Sequence, residues 1–106
     1  MPRPDHLQQL DGIAALVRDY TGLHVEAGML SVPVRLSDKA RIKCYTPHEH
    51  PGGERTLLAT FTLRMNFAHC RYDLLVQYTG SQDLFSLVQQ AMSIYYDELE
   101  AAEVTE

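Results

Sequence analysis

Residues 56–66 read TLLATFTLRMN and residues 70–79 read CRYDLLVQYT. Leu57, Ala59, Phe61, Leu63 and Met65 occupy alternate positions of the first run, and Tyr72, Leu74, Val76 and Tyr78 those of the second. Successive side chains of a strand point to opposite faces, so this period of two predicts a sheet with one covered and one solvated face. The link near Phe67-Ala68 is too short for a crossover, which makes the pair an antiparallel hairpin.

Working upstream, residues 47–55 carry Pro47, Pro51, Gly52 and Gly53 and read as a loop. Residues 40–46 form the strand before it, with Ile42 and Cys44 at the inward parity. Ser37-Asp38-Lys39 is expected to be a tight turn from a first strand at 29–36, where Leu30, Val32, Val34 and Leu36 share a face. Pro33 cannot donate a ladder hydrogen bond, so that strand is expected at a sheet edge.

Helical spacing replaces alternation at both ends. Over residues 5–20, Leu7, Leu10, Ile13, Ala14, Val17 and Tyr20 mark one face. Asp5 and Gln8 have capping-box form, and Gly22 stands where a left-handed C-cap belongs. Gly12 weakens this helix without ending it. Residues 81–102 form the second helix, with Ser81 as cap and Asp83 at the positive end of the dipole. Its apolar residues, from Leu84 and Phe85 to Leu99, cover an arc of roughly 200°, wider than the ~100° stripe that one sheet requires. The surplus must meet the first helix, a second subunit or a partner.

The expected architecture is α+β: a single domain over 1–106, ordered α-β-β-β-β-α, with a four-stranded antiparallel meander and both helices on one face. Residues 1–4 and 103–106 are expected to fray. The other face would carry Arg35, Arg41, Lys43, Tyr45, Thr60, Thr62, Arg64, Arg71, Asp73, Leu75 and Gln77.

The net charge of −5 is unevenly spread. Residues 1–80 hold nine bases and eight acids, whereas 81–106 hold six acids and no base. Overall acidity disfavours a nucleic-acid partner. No run approaches the ~20 apolar residues of a membrane span, and the polar start at Met1-Pro2-Arg3-Pro4 lacks a signal-peptide core. A cytoplasmic protein with reduced cysteines and no membrane partner is expected.

Chemistry-bearing residues concentrate between Cys44 and Cys70, as Cys44-x3-His48-x-His50 and then His69-Cys70. Cys44, His48 and His50 are the candidate zinc ligands, since a strand end and its following loop can converge on a tetrahedron. His69 and Cys70 lie beyond the far end of the third strand, on the order of 30 Å away at ~3.3 Å per residue. They cannot share a metal with the trio, and the two cysteines cannot form a disulfide. Parity instead makes Cys44 a small core side chain. No base beside either cysteine has a third group to orient it, so no catalytic residue and no cofactor is assigned.

Two surfaces remain. Arg41, Lys43, Tyr45, Arg64 and Arg71 could form a basic platform for nucleic acid. The leading expectation is a non-enzymatic protein-binding module (adaptor, chaperone or inhibitor) acting through its last helix. Phe85, Met92, Tyr95 and Tyr96 are residue types enriched in interface cores. Asp97, Glu100 and Glu103 add an acidic end suited to a basic partner. The same helix could pair with itself in a homodimer.

Overall fold

The computed structural model describes residues 3–30 and 38–104. In chain order they form α1 (His6–Thr21), β1 (His24–Met29), β2 (Lys39–Tyr45), β3 (Leu57–Asn66), β4 (Arg71–Thr79) and α2 (Gln82–Val104). The strands make one antiparallel sheet in the order β1-β2-β3-β4, the expected meander.

Local chemistry sets the helix ends. The Asp5 carboxylate accepts from the Gln8 N–H at 2.8 Å, and the Gln8 side chain accepts from the Asp5 N–H at 2.9 Å. Two of the orphan donors at the start of α1 are thereby satisfied. Gly22 closes the helix at φ 69°, donating to the Arg18 carbonyl at 2.8 Å. The Ser81 hydroxyl accepts from the Leu84 N–H at 3.2 Å at the start of α2.

The core lies between the sheet and the two helices. Ile42, Cys44, Phe61, Leu63 and Tyr72 meet Leu10, Ile13 and Val17 of α1 and Val88, Ala91 and Tyr96 of α2, all buried. Each fully buried large apolar side chain contributes about 1.5–3 kcal/mol. Phe85 stacks on Tyr78 with ring centroids 4.5 Å apart, and Phe61 closes that aromatic group. Gly12 has a specific reason to be glycine. A Cβ there would sit 2.3 Å from the Tyr95 ring, so its absence lets α1 and α2 approach. The wide apolar arc of α2 therefore meets α1 as well as the sheet.

Several expectations are corrected. The first described strand is His24–Met29, where none was expected, with Val25, Ala27 and Met29 on the core side. Of the expected strand, Ser31, Val32, Pro33, Val34, Arg35 and Leu36, with Ser37 of the turn, lie outside the described residues. Val76 was expected inward, yet it is 80% exposed. The register explains it: Phe61 faces Tyr78 while Leu63 faces Leu74, so three β4 residues oppose one of β3 and Val76 bulges outward. A smaller irregularity at Cys44/Tyr45 leaves Leu57 exposed. Tyr20 and Leu7 are exposed as well, because the buried stripe of α1 is narrower than its apolar face. Cys70 is not in a strand but in the β3–β4 turn, at φ 51°. Near the two ends of the described chain, Arg3 and Glu103 form an ion pair at 2.8 Å.

Candidate binding surfaces

The α2 residues expected to bind a partner are largely engaged within the chain. Tyr96 is 1% exposed and Met92 5%, so neither offers a surface. The Tyr96 hydroxyl accepts from the Tyr72 N–H at 2.6 Å and donates to Gln9 Oε1 at 2.8 Å. Burial, partly offset by the Tyr72 hydrogen bond, pushes this phenol up to about 12. Gln9 Nε2 in turn donates to the carbonyls of Pro4 and Cys70, and Arg3 Nε reaches the same Cys70 carbonyl at 2.8 Å. Tyr95 covers Gly12, and burial raises its pKa too. Phe85 belongs to the aromatic group with Tyr78. Of the acids, Glu100 lies 3.7 Å from Arg71 and Glu103 is held by Arg3, whereas Asp97 is exposed.

The zinc trio is not assembled. Cys44 is fully buried with its side chain on the core face, and burial pushes its thiol up to about 11. His48 and His50 are exposed in the loop beyond β2, where His50 Nε2 lies 2.6 Å from the Thr56 hydroxyl. The parity that buries Cys44 is what separates it from the loop. Among the described residues no group of three or more His, Cys, Asp or Glu is placed to hold a metal ion. Cys44 pairs with Ala59 toward one end of β3, while Cys70 follows Asn66 at the other, as the strand length predicts. Both cysteines are free.

The outer sheet face retains most of the basic set. Arg41, Lys43 and Tyr45 stand at alternate positions of β2, flanked by Glu26 and His24 on β1 and by Thr60, Thr62 and Arg64 on β3. Arg71 leaves the set: its guanidinium turns over the Tyr96 ring, 4.4 Å from the centroid. Arg64 lies 3.9 Å from the Asp38 carboxylate. Glu26 is drawn below the usual carboxylate range, first by its hydrogen bond to His24 at 3.3 Å. A cleft of about 260 Å³ opens where β1 meets this face, lined by Glu26, Ala27, Gly28, Met29, Leu30, Arg41 and Lys43. Among the described residues the enclosed Arg41 Nε has no hydrogen-bond partner.

Both edge strands, β1 and β4, turn backbone groups away from the sheet. The Leu30 N–H bonds the Lys39 carbonyl at 2.9 Å, so 28/41 and 26/43 are also hydrogen-bonded pairs. Val25, Ala27 and Met29 must therefore turn their N–H and C=O groups away from β2. Arg18 of α1 confirms the parity by donating twice to the Val25 carbonyl, at 2.9 and 3.2 Å. At the β4 edge, the Cys70 carbonyl of the preceding turn and the Tyr72 N–H are capped by Arg3, Gln9 and Tyr96. Sequence reasoning missed Arg18, Gln9 and Tyr96 as edge caps. Only the polar Gln9 within an apolar helix face gave a signal.

No helix among the described residues is long and apolar enough to cross a membrane. No protein-family model, no curated protein and no solved structure matches the chain.

Proposed function

We propose that this chain is a non-enzymatic protein-binding module, of adaptor, chaperone or inhibitor type, that engages its partner through the uncovered side of β1 and β2. The observation that carries the reading is the cleft beside Gly28, where Arg41 and Lys43 meet a strand edge that no other described residue caps beyond Val25. The α2 surface is the weaker candidate, because its apolar residues serve the core and two of its acids hold Arg3 and Arg71.

Capture from native-host lysate on immobilised protein, with mass-spectrometric identification and re-binding of the purified partner, tests the reading. Charge reversal by Arg41→Glu with Lys43→Glu is expected to weaken re-binding at least about tenfold, within the range for buried charged contacts. Asp97→Lys is expected to leave it unchanged. Loss with Asp97→Lys alone would return the site to α2 and sink the assignment.

The row Arg41, Lys43, Tyr45 and Arg64 on one uncovered face supports a second reading, binding of single-stranded nucleic acid. That reading requires an oligonucleotide affinity that falls steeply with salt and is lost on the same charge reversal. A salt-independent or absent signal removes it.

A further inference from the structure

A partner can meet a basic cleft in many ways, but the backbone geometry here favours one. We infer, resting on the protein-binding reading above, that an extended segment of the partner adds to β1 as a further strand, and that its residue opposite Gly28 carries a carboxylate.

The backbone supplies the first part. Ladder alternation leaves the N–H and C=O groups of Val25, Ala27 and Met29 facing away from β2. Arg18 occupies the Val25 carbonyl. Among the described residues nothing caps Ala27 or Met29, so two successive outward positions can bond an incoming strand. A free, regular edge of this kind is the template used in strand addition. The other edge is unsuitable: Cys70 and Tyr72 are capped, and the bulge at Val76 breaks the ladder beyond Leu74.

Gly28 and its neighbours supply the second part. A segment bonded to Ala27 and Met29 places the side chain between them over the outer face at Gly28. A Cβ on Gly28 would meet nothing within 4 Å, so the space above it is open. Arg41 is the next residue across the sheet, two strand spacings or about 10 Å from the incoming backbone. A glutamate reaching across a glycine closes that gap to an extended arginine. That carboxylate would meet the terminal nitrogens of the Arg41 guanidinium, a charge-assisted pair. Glu26 keeps its charge beside His24 and Lys43, so the cleft carries two cations to one carboxylate and Arg41 is the cation closest across Gly28.

A second copy of this chain fits less well. A two-fold at Ala27 would put the other copy's Glu26 over Gly28, but it needs the Val25 carbonyl that Arg18 holds. A two-fold at Gly28 spares Val25, yet it sets glycine against glycine with Arg41 from each copy facing the seam and no carboxylate between.

Amide hydrogen exchange tests the inference, using a short synthetic peptide alternating valine and glutamate and a counterpart with lysine. Exchange at Ala27 and Met29 is expected to slow at least about tenfold at saturating acidic peptide, as for amides entering a ladder. The lysine peptide is expected to give no protection. Ala27→Pro removes an outward N–H without touching the β2 ladder, and Gly28→Thr fills the open space; each is expected to abolish the protection. Gly28→Thr keeps the test valid if the proline variant fails to fold. No protection, equal protection by both peptides, or protection on concentrating the protein alone (a second copy) would overturn the inference. The two claims separate on the purified partner. Re-binding that depends on Arg41 and Lys43 but survives both Ala27→Pro and Gly28→Thr refutes strand addition and leaves the binding reading standing. Re-binding indifferent to Arg41 and Lys43 refutes the binding reading itself.

Discussion

Tyr96→Phe removes one hydroxyl and leaves the shape of the core intact, so its effect isolates two hydrogen bonds. The Tyr72 N–H loses its acceptor at 2.6 Å, and Gln9 Oε1 loses its donor at 2.8 Å. Both groups belong to residues that are about 99–100% buried. Gln9 cannot turn away, because its Nε2 is held by the Pro4 and Cys70 carbonyls. Leaving a buried polar group unpaired costs about 1–3 kcal/mol, and some relief at the strand edge brings the sum to about 2–4 kcal/mol. Against a total of about 5–15 kcal/mol for a domain, the loss is large. The melting temperature should fall on the order of 10–20 °C. Urea denaturation followed by circular dichroism gives the free energy, and amide exchange at Tyr72 should accelerate in parallel. Tyr95→Phe is the control: that ring packs over Gly12, and its hydroxyl makes no hydrogen bond among the described residues, so a change within about 0.5 kcal/mol is expected. If Tyr96→Phe proves as mild as its control, the hydroxyl does not close the β4 edge and the reasoning fails.

Gly12→Ala raises helix propensity by about 1 kcal/mol, yet it places a methyl 2.3 Å from the Tyr95 ring. The clash should prevail with a net destabilisation of about 1–2 kcal/mol in the same denaturation assay; a stabilised variant would contradict the close approach of the helices. Alkaline pH should weaken the fold, since Cys44 and Tyr96 are raised from 9.0 to about 11 and from 10.0 to about 12. Their folded forms hold protons that the unfolded chain releases, so the contribution is complete below pH 9, declines as pH rises through 9–11 for the thiol and 10–12 for the phenol, and should appear as a falling urea midpoint. Under native conditions iodoacetamide should label the half-buried Cys70 well before Cys44, read by mass spectrometry; equal rates would place the Cys44 thiol outside the core.

Periodicity located the elements whose pattern is set by burial on one face. The helices expected at 5–20 and 81–102 and the last three strands lie within two residues of their observed bounds. β1 escaped because Ala27 and Gly28 are poor strand formers and its inward residues are modest. Its neighbour at 29–36 has the more regular alternation of branched apolar residues. The outward turn of Val76 was illegible for another reason: a bulge changes the register, and composition alone does not reveal where a ladder slips. The surplus apolar width of α2 was visible, but its explanation required knowing that Gly12 faces Tyr95. The zinc trio failed through the alternation that had already assigned Cys44 inward.

The two sheet edges are treated differently by the fold. A terminal strand invites pairing, and proteins commonly blunt such edges with side chains, charges or bulges. Here β4 is blunted along much of its length, by Arg3 and Gln9 at Cys70, by Tyr96 at Tyr72 and by the bulge at Val76. Those contacts tie both helices to that side of the sheet, which is why Met92 and Tyr96 serve the fold rather than a partner. On β1 among the described residues the same protection stops at Val25, under Arg18. The uncapped stretch from Ala27 to Met29 contains Gly28, which propensity disfavours in a strand and which no crowding requires. A side chain there would occupy the space above Arg41. Glycine leaves both the edge and the cation side of that space open, which is the arrangement the proposed strand addition would use.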